Sequence, residues 1–211
     1  LVGSEMCIRD SFFQNAADPG QHLLGRLFLR GMNLMHRPGA RWALGFFPLE
    51  GVRMLLDAGC GGGRTIRTLL RRAPGAKLYG LDRSEASVEM ARRLNRRAIA
   101  AGRAAVSQGD VRLLPYADGF FDAVTAFETV YFWQPLDECL REVLRVLKPG
   151  GRFLILCEAS DPVKARRWTD LIDGMTAYTP GDLERSLQTA GFRSVEIHRR
   201  GERMCLVATR Q

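Results

Sequence analysis

The stretch "DAGCGGGRT", Asp57 to Thr65, packs four glycines into nine residues. It lies between a short apolar run, "RMLLD" (Arg53–Asp57), and an amphipathic segment, Arg64–Arg72, with Ile66, Leu69 and Leu70 on one face. A strand that turns through glycines into a helix opens a βαβ unit, and the rest of the chain repeats the alternation. Strands are expected at Lys77–Leu81, ending at Asp82, then at Ala104–Gln108, Phe121–Phe127 and Arg152–Cys157. Helices between them are marked by Ser84 as an N-cap with Glu85 in the first turn, by Gly102 at a C-terminus, and by Leu140, Val143 and Leu144 within Leu136–Leu147. Asp161–Tyr178 reads as an insertion, and Thr179-Pro180 opens a further helix. Two β-rich runs close the chain, Ser194–His198 and Met204–Thr209. The short link through Gly201 makes them an antiparallel hairpin. The outcome is an α/β fold of seven strands, the last antiparallel to the others.

At 211 residues the chain suits one domain with a small appendage. Residues 52–211 hold the alternating pattern. Residues 12–51 form a helical N-terminal cap, read equally as a lid over the carboxyl ends of the strands or as cover for the sheet. Residues 1–11, "LVGSEMCIRDS", have neither amphipathic order nor a secretory apolar core, and are set apart as a non-native or disordered leader. No apolar run approaches the roughly 20 residues that span a bilayer. Five scattered cysteines (Cys7, Cys60, Cys139, Cys157, Cys205) form no CxxC pair, which points to reduced thiols in a cytoplasm and to no metal site. The net charge of +8 comes from dispersed arginines, read as solvated faces; no nucleic-acid or membrane partner is expected.

The glycine loop brings backbone close to a ligand at a helix start, where free N–H groups face outward. A dinucleotide fingerprint would need a third glycine where Arg64 stands, and a P-loop would need Gly-Lys-Ser/Thr. Asp82, 25 residues after Asp57, ends a strand where a carboxylate can accept both ribose hydroxyls or cap a helix. Asp110, in "QGDV", can accept from an adenine amino group or serve a turn.

Together, "LDAGCGGGRT", "GLDRS", "GDVRLLPYADGFFDAV" and "LREVLRVLKPGGRFLI" resemble the class I S-adenosylmethionine-dependent methyltransferases, in particular the small-molecule group related to ubiquinone/menaquinone methyltransferases. The resemblance spans roughly Val52 to Thr209. It implies a Rossmann-like doubly wound sheet of order 3-2-1-4-5-7-6 with strand seven antiparallel, and S-adenosylmethionine as methyl donor. It also implies that Asp57, Gly59 and Gly61 line the methionine end, that Asp82 holds the ribose with Arg83 beside the adenine, that Asp110 and Val111 contact the adenine, and that Phe127 and Glu128 border the transferring methyl. The stretch after the fourth strand, "FETVYFW", departs from the quinone enzymes, and the Asn/Asp-Pro-Pro-Tyr/Phe element of nucleic-acid amino-methyltransferases is absent.

The expected reaction is in-line methyl transfer to a small-molecule acceptor, with Glu128, Tyr131 and His36 as candidate substrate-facing groups. Packing of Tyr131 and Trp133, pairing of Glu128 with an arginine, and His36 at a helix C-terminus are the plainer readings. The alternatives in function are a cofactor-binding module without transferase activity and an NAD-dependent oxidoreductase. The oligomeric state is not legible in the sequence.

Overall fold

The structure is a computed structural model and describes residues 37–211. The leader, most of the N-terminal cap and His36 lie outside the described residues. Seven strands form one sheet of order β3-β2-β1-β4-β5-β7-β6: β1 Met54–Ala58, β2 Lys77–Asp82, β3 Ala104–Gln108, β4 Phe121–Phe127, β5 Leu147–Cys157, β6 Ser194–Arg200 and β7 Arg203–Thr209. β1 to β5 pair in parallel, and β7 runs antiparallel between β5 and β6. This is the order and direction expected from the sequence.

The central strands are apolar on both faces, because helices cover both sides of a parallel sheet. Successive residues therefore feed two cores. Leu56, Val124, Phe153 and Ile155 pack with the helices Leu136–Val146 and Pro180–Ala190. Leu55, Ala123, Leu154 and Leu156 pack on the other side, with Ile66 and Leu69 of helix Arg64–Arg72 and Val88 and Ala91 of helix Glu85–Leu94. The described part of the N-terminal cap joins that second core. Its helix, Arg37–Ala43, is followed by buried Leu44, Phe47 and Leu49, while Ala40 and Arg41 reach the cavity described below. This stretch covers the sheet face and also walls the site.

The largest boundary differences from the sequence reading lie at β5 and in the terminal hairpin. The helix begun at Leu136 ends at Val146, and β5 starts at Leu147, five residues earlier than expected. Leu147 pairs with Phe121, and the next ladder partner is Arg152 opposite Ala123, so Lys148–Gly151 loops out between them. The proline and glycines there mark a bulged strand, with Gly150 N–H donating to Arg210 O at 2.8 Å. The terminal ladder continues to Arg200 opposite Arg203, leaving only Gly201 and Glu202 in the turn. Gly201 takes φ 63°, the left-handed conformation that a two-residue hairpin turn requires.

Candidate functional site

The carboxyl ends of β1, β2, β3 and β4 converge on a cavity of about 450 Å³, as an open parallel sheet places its ligands. The floor is the glycine loop. Gly59 N–H and Cys60 N–H both donate to Leu81 O, at 2.7 and 3.0 Å, and Gly61 N–H donates to Asp82 Oδ2 at 2.8 Å. The end of β2 thus pins the loop after β1. Three loop glycines have positive φ for different reasons. A Cβ at Gly59 (φ 75°) would lie 2.7 Å from Thr129 Cβ, so the loop and the end of β4 meet without room for a side chain. A Cβ at Gly63 (φ 77°) would lie 2.7 Å from Ala91, where the next helix packs. A Cβ at Gly61 (φ 50°) meets no described atom within 4 Å, and Gly61 lines the cavity. Asn95 locks the arrangement by donating from Nδ2 to Gly63 O and Ala91 O, both at 2.9 Å.

The four acidic residues at these strand ends stand in four different settings. Asp57 does not line the cavity as the sequence led us to expect. It is 1% exposed beneath the loop, with Oδ1 accepting from Thr125 Oγ1 at 2.9 Å and Oδ2 accepting from Thr65 Oγ1. Burial pushes its pKa up to about 6 from 3.8; the two hydroxyls oppose the rise, and the charge of Asp82 adds to it. Asp57 is therefore a positioning residue for the loop and the start of helix Arg64–Arg72.

Asp82 lines the cavity and is half-buried. Its Oδ2 accepts from Gly61 N–H, and its Oδ1 accepts from Ser84 N–H at 3.0 Å. A carboxylate offers about four acceptor positions, so these two backbone bonds are compatible with acceptance from ligand hydroxyls.

Asp110 also lines the cavity, as the cap of a short 3-10 turn, Val111–Leu113. Its carboxylate is gripped by Arg112, through the backbone N–H at 2.8 Å, Nε at 3.0 Å and Nη2 at 2.7 Å. That guanidinium holds its pKa below the usual carboxylate range.

Glu128 follows β4 with φ 56°, a conformation rare for a residue with a Cβ. Such strain concentrates at functional positions. Its Oε2 accepts from Tyr131 O–H at 3.0 Å and from Glu158 N–H at 3.2 Å, and Glu128 lines the cavity.

Tyr131 is buried and stands behind the cavity wall, not on it. Its hydroxyl donates to Glu128 and accepts from Ala159 N–H at 2.9 Å. Burial, with Cys157 and Glu128 close by, pushes its pKa well above the usual phenol range. This geometry makes Tyr131 the brace of Glu128. Trp133 stacks on Phe153 at 6.0 Å between ring centroids and lines the cavity. Gly59, Val111, Phe127 and Arg83 line the cavity as the sequence placed them, with the Arg83 guanidinium 6.0 Å from the Phe132 ring.

The structure adds residues that the motifs did not single out. Thr65 stands inside the quoted loop, and Thr125 is the one hydroxyl in the apolar run of β4; both are there to satisfy Asp57. Arg112 follows Asp110 by two residues. Arg41, Arg64, Thr68 and Arg71 also line the cavity. Among the described residues there is no group of His, Cys, Asp and Glu that could hold a metal ion, and no helix long and apolar enough to cross a membrane.

The cavity fits a nucleoside joined to an amino acid: its volume lies within the 300–1,000 Å³ range of small-molecule sites, and open space faces Gly61. Comparison with known proteins agrees with this fit. A family model described as a methyltransferase domain matches residues 56–155. The chain is 29% identical to an O-methyltransferase of Aspergillus sclerotiorum, over 68% of this chain and 56% of that protein. It is 34% identical to a demethylmenaquinone methyltransferase of Thermus thermophilus, over 65% and 60%. The chain thus spans little more than half the length of these two curated relatives. Among solved structures it resembles the methyltransferase in a complex with the Haloferax volcanii Trm112 activator. That likeness has a TM-score of 0.77 and 23% identity, and covers 86% of this chain and 92% of the other.

Proposed function

This chain belongs to the class I S-adenosylmethionine-dependent methyltransferases, and from that premise we propose that it transfers a methyl group from S-adenosylmethionine to a compact small-molecule acceptor. The observation that carries the reading is the single cavity in which the glycine loop, Asp82 and the strained end of β4 meet. When bound, the cofactor supplies a methyl group already activated by a positively charged sulfur.

In this reading Gly59 and Gly61 admit the amino-acid end, because the backbone there comes close without a side chain. Asp82 accepts from the ribose hydroxyls. Val111 and Phe127 form apolar walls, and Arg83 stands beside the adenine. Asp110 contributes to adenine recognition together with Arg112, the partner it already grips. Glu128 faces the acceptor. Its φ and its bond to Tyr131 fix where its carboxylate points, so it can orient an acceptor O–H or N–H and take up the proton that transfer releases. Most of the remaining work is alignment and exclusion of water, for which the aromatic side chains of Phe132 and Trp133 and the helix Arg37–Ala43 supply the walls.

An open, partly polar cavity beside Glu128 supports transfer over a cofactor-binding module without activity. Titration calorimetry with S-adenosylmethionine, S-adenosylhomocysteine and NAD, followed by a metabolite screen reading S-adenosylhomocysteine release, tests the proposal. Binding of both S-adenosyl compounds and turnover with a small acceptor are expected; binding of NAD in their place refutes it.

A further inference from the structure

The cavity carries more positive charge than its acids balance. Helix Arg64–Arg72 presents Arg64, Thr68 and Arg71 to it. Spacings of four and seven residues put all three on one stripe, about 10 Å long, while Ile66 and Leu69 are buried on the sheet side. Arg41 joins them from helix Arg37–Ala43. The two segments are tied together by Arg72 Nη1, which donates to Leu44 O at 3.2 Å. Asp110 is matched by Arg112, at 2.7 Å. Among the described residues, Arg41, Arg64 and Arg71 form no ion pair and no side-chain hydrogen bond.

The cofactor does not account for three such arginines. Its amino-acid end carries one carboxylate and one ammonium, which cancel, and its sulfonium is itself positive. A cationic cofactor in a cavity with surplus cations leaves the negative charge to be supplied by the other ligand. We propose that the methyl acceptor is an anionic small molecule, whose carboxylate or phosphate is held by Arg41, Arg64 and Arg71 while its apolar body lies toward Phe127, Phe132 and Trp133. Guanidinium forks match the oxygen pairs of both anions, and the three arginines give the anion alternative seats as acceptors vary in length. This inference rests on the methyl-transfer reading of the same cavity.

Matched probes test it on the full chain saturated with S-adenosylhomocysteine: 2-naphthoate, 2-naphthyl phosphate and the neutral 2-naphthamide, each titrated by calorimetry. At least one anion should bind about tenfold more tightly than the amide, and the advantage should shrink as added salt screens the exposed arginines. Comparison of the two anions identifies which oxyanion the seat prefers. Arg41→Gln and Arg71→Gln should each reduce the anion's advantage about threefold, with S-adenosylhomocysteine affinity unchanged. Equal binding of the amide overturns the inference. So does a fall in S-adenosylhomocysteine affinity in the variants with anion binding intact, which would assign the arginines to the cofactor. A chain that binds no S-adenosylhomocysteine at all refutes the proposed function, and this inference falls with it.

Discussion

Asp57 offers a test of how the glycine loop is held. Its carboxyl titrates near 3.8 in an unfolded chain and about 6 in the fold, because burial penalises the charge more than the Thr65 and Thr125 hydroxyls relieve it. Below pH 3.8 the group is protonated in both states and costs nothing. Between 3.8 and 6 the unfolded chain ionises first, so stability falls as pH rises. Above 6 the loss levels off at about 3 kcal/mol, at 1.36 kcal/mol per pKa unit. Asp57→Asn keeps the shape and one acceptor, and removes the titration. Urea unfolding of both proteins from pH 4 to 7.5 isolates the effect, since other groups cancel in the difference. The difference should move in favour of the variant as pH rises, by up to about 3 kcal/mol, with most of the change between pH 4 and 6. Any constant offset reports the altered hydrogen bond and leaves this slope untouched. A difference that is flat with pH, or that turns against the variant above pH 6, refutes the argument: the hydroxyls would then outweigh the desolvation.

Three further outcomes follow from the same geometry. Asp82→Ala removes the acceptor for Gly61 N–H as well as the one assigned to the ribose, and should weaken S-adenosylhomocysteine binding by about 1.5–3 kcal/mol in calorimetry; an unchanged dissociation constant takes Asp82 out of the site. Gly59→Ala should lower cofactor affinity at least about tenfold, because it combines strain at φ 75° with a clash against Thr129, and adding Thr129→Gly should restore only the part due to the clash; full restoration would show that φ carries no cost. Tyr131→Phe leaves Ala159 N–H without its acceptor and removes one of the donors to Glu128, so stability should fall by about 1–3 kcal/mol and turnover should drop while cofactor affinity stays within about twofold. Loss of cofactor affinity in that variant would mean that the cavity wall, not Glu128 alone, depends on Tyr131.

The strands were legible because each parallel strand announces itself as an apolar run followed by a helix signal, and the terminal hairpin has no room for a crossover; their order in the sheet came from the family resemblance. The bulge in β5 was not. Pro149-Gly150-Gly151 signals a break equally well in a loop before a strand and in a strand that loops out, and only pairing of Leu147 with Phe121 tells them apart. Of the cap, Arg37–Ala43 is the described helix, and its placement was not legible, because one apolar face serves a lid and a cover alike. Leu44, Phe47 and Leu49 put the described part against the sheet, while Arg41 still reaches the cavity.

The same limit explains why two residues read as ligand contacts stand behind the wall. The sequence places an acid at or near the carboxyl end of each of the first four strands, and from the sequence alone they are equivalent. Register separates them. Asp82 is the last ladder residue of β2, opposite Gln108, with the cavity directly beyond it. Asp57 lies one residue short of the end of β1, flanked by Gly80 on one side and Thr125 on the other. A side chain inside the ladder is covered by its neighbours, so Asp57 takes its hydrogen bonds from the adjacent strand and from the helix start instead of from a ligand. Tyr131 follows the same rule. Three residues after Glu128, in a 3-10 turn, it folds back beneath the strand ends and meets Glu128 from behind. Depth relative to the strand ends is a property of pairing, which no single segment encodes. The residues whose chemistry looked alike therefore divide, by one step of register, into those that face the ligand and those that hold the facing ones still.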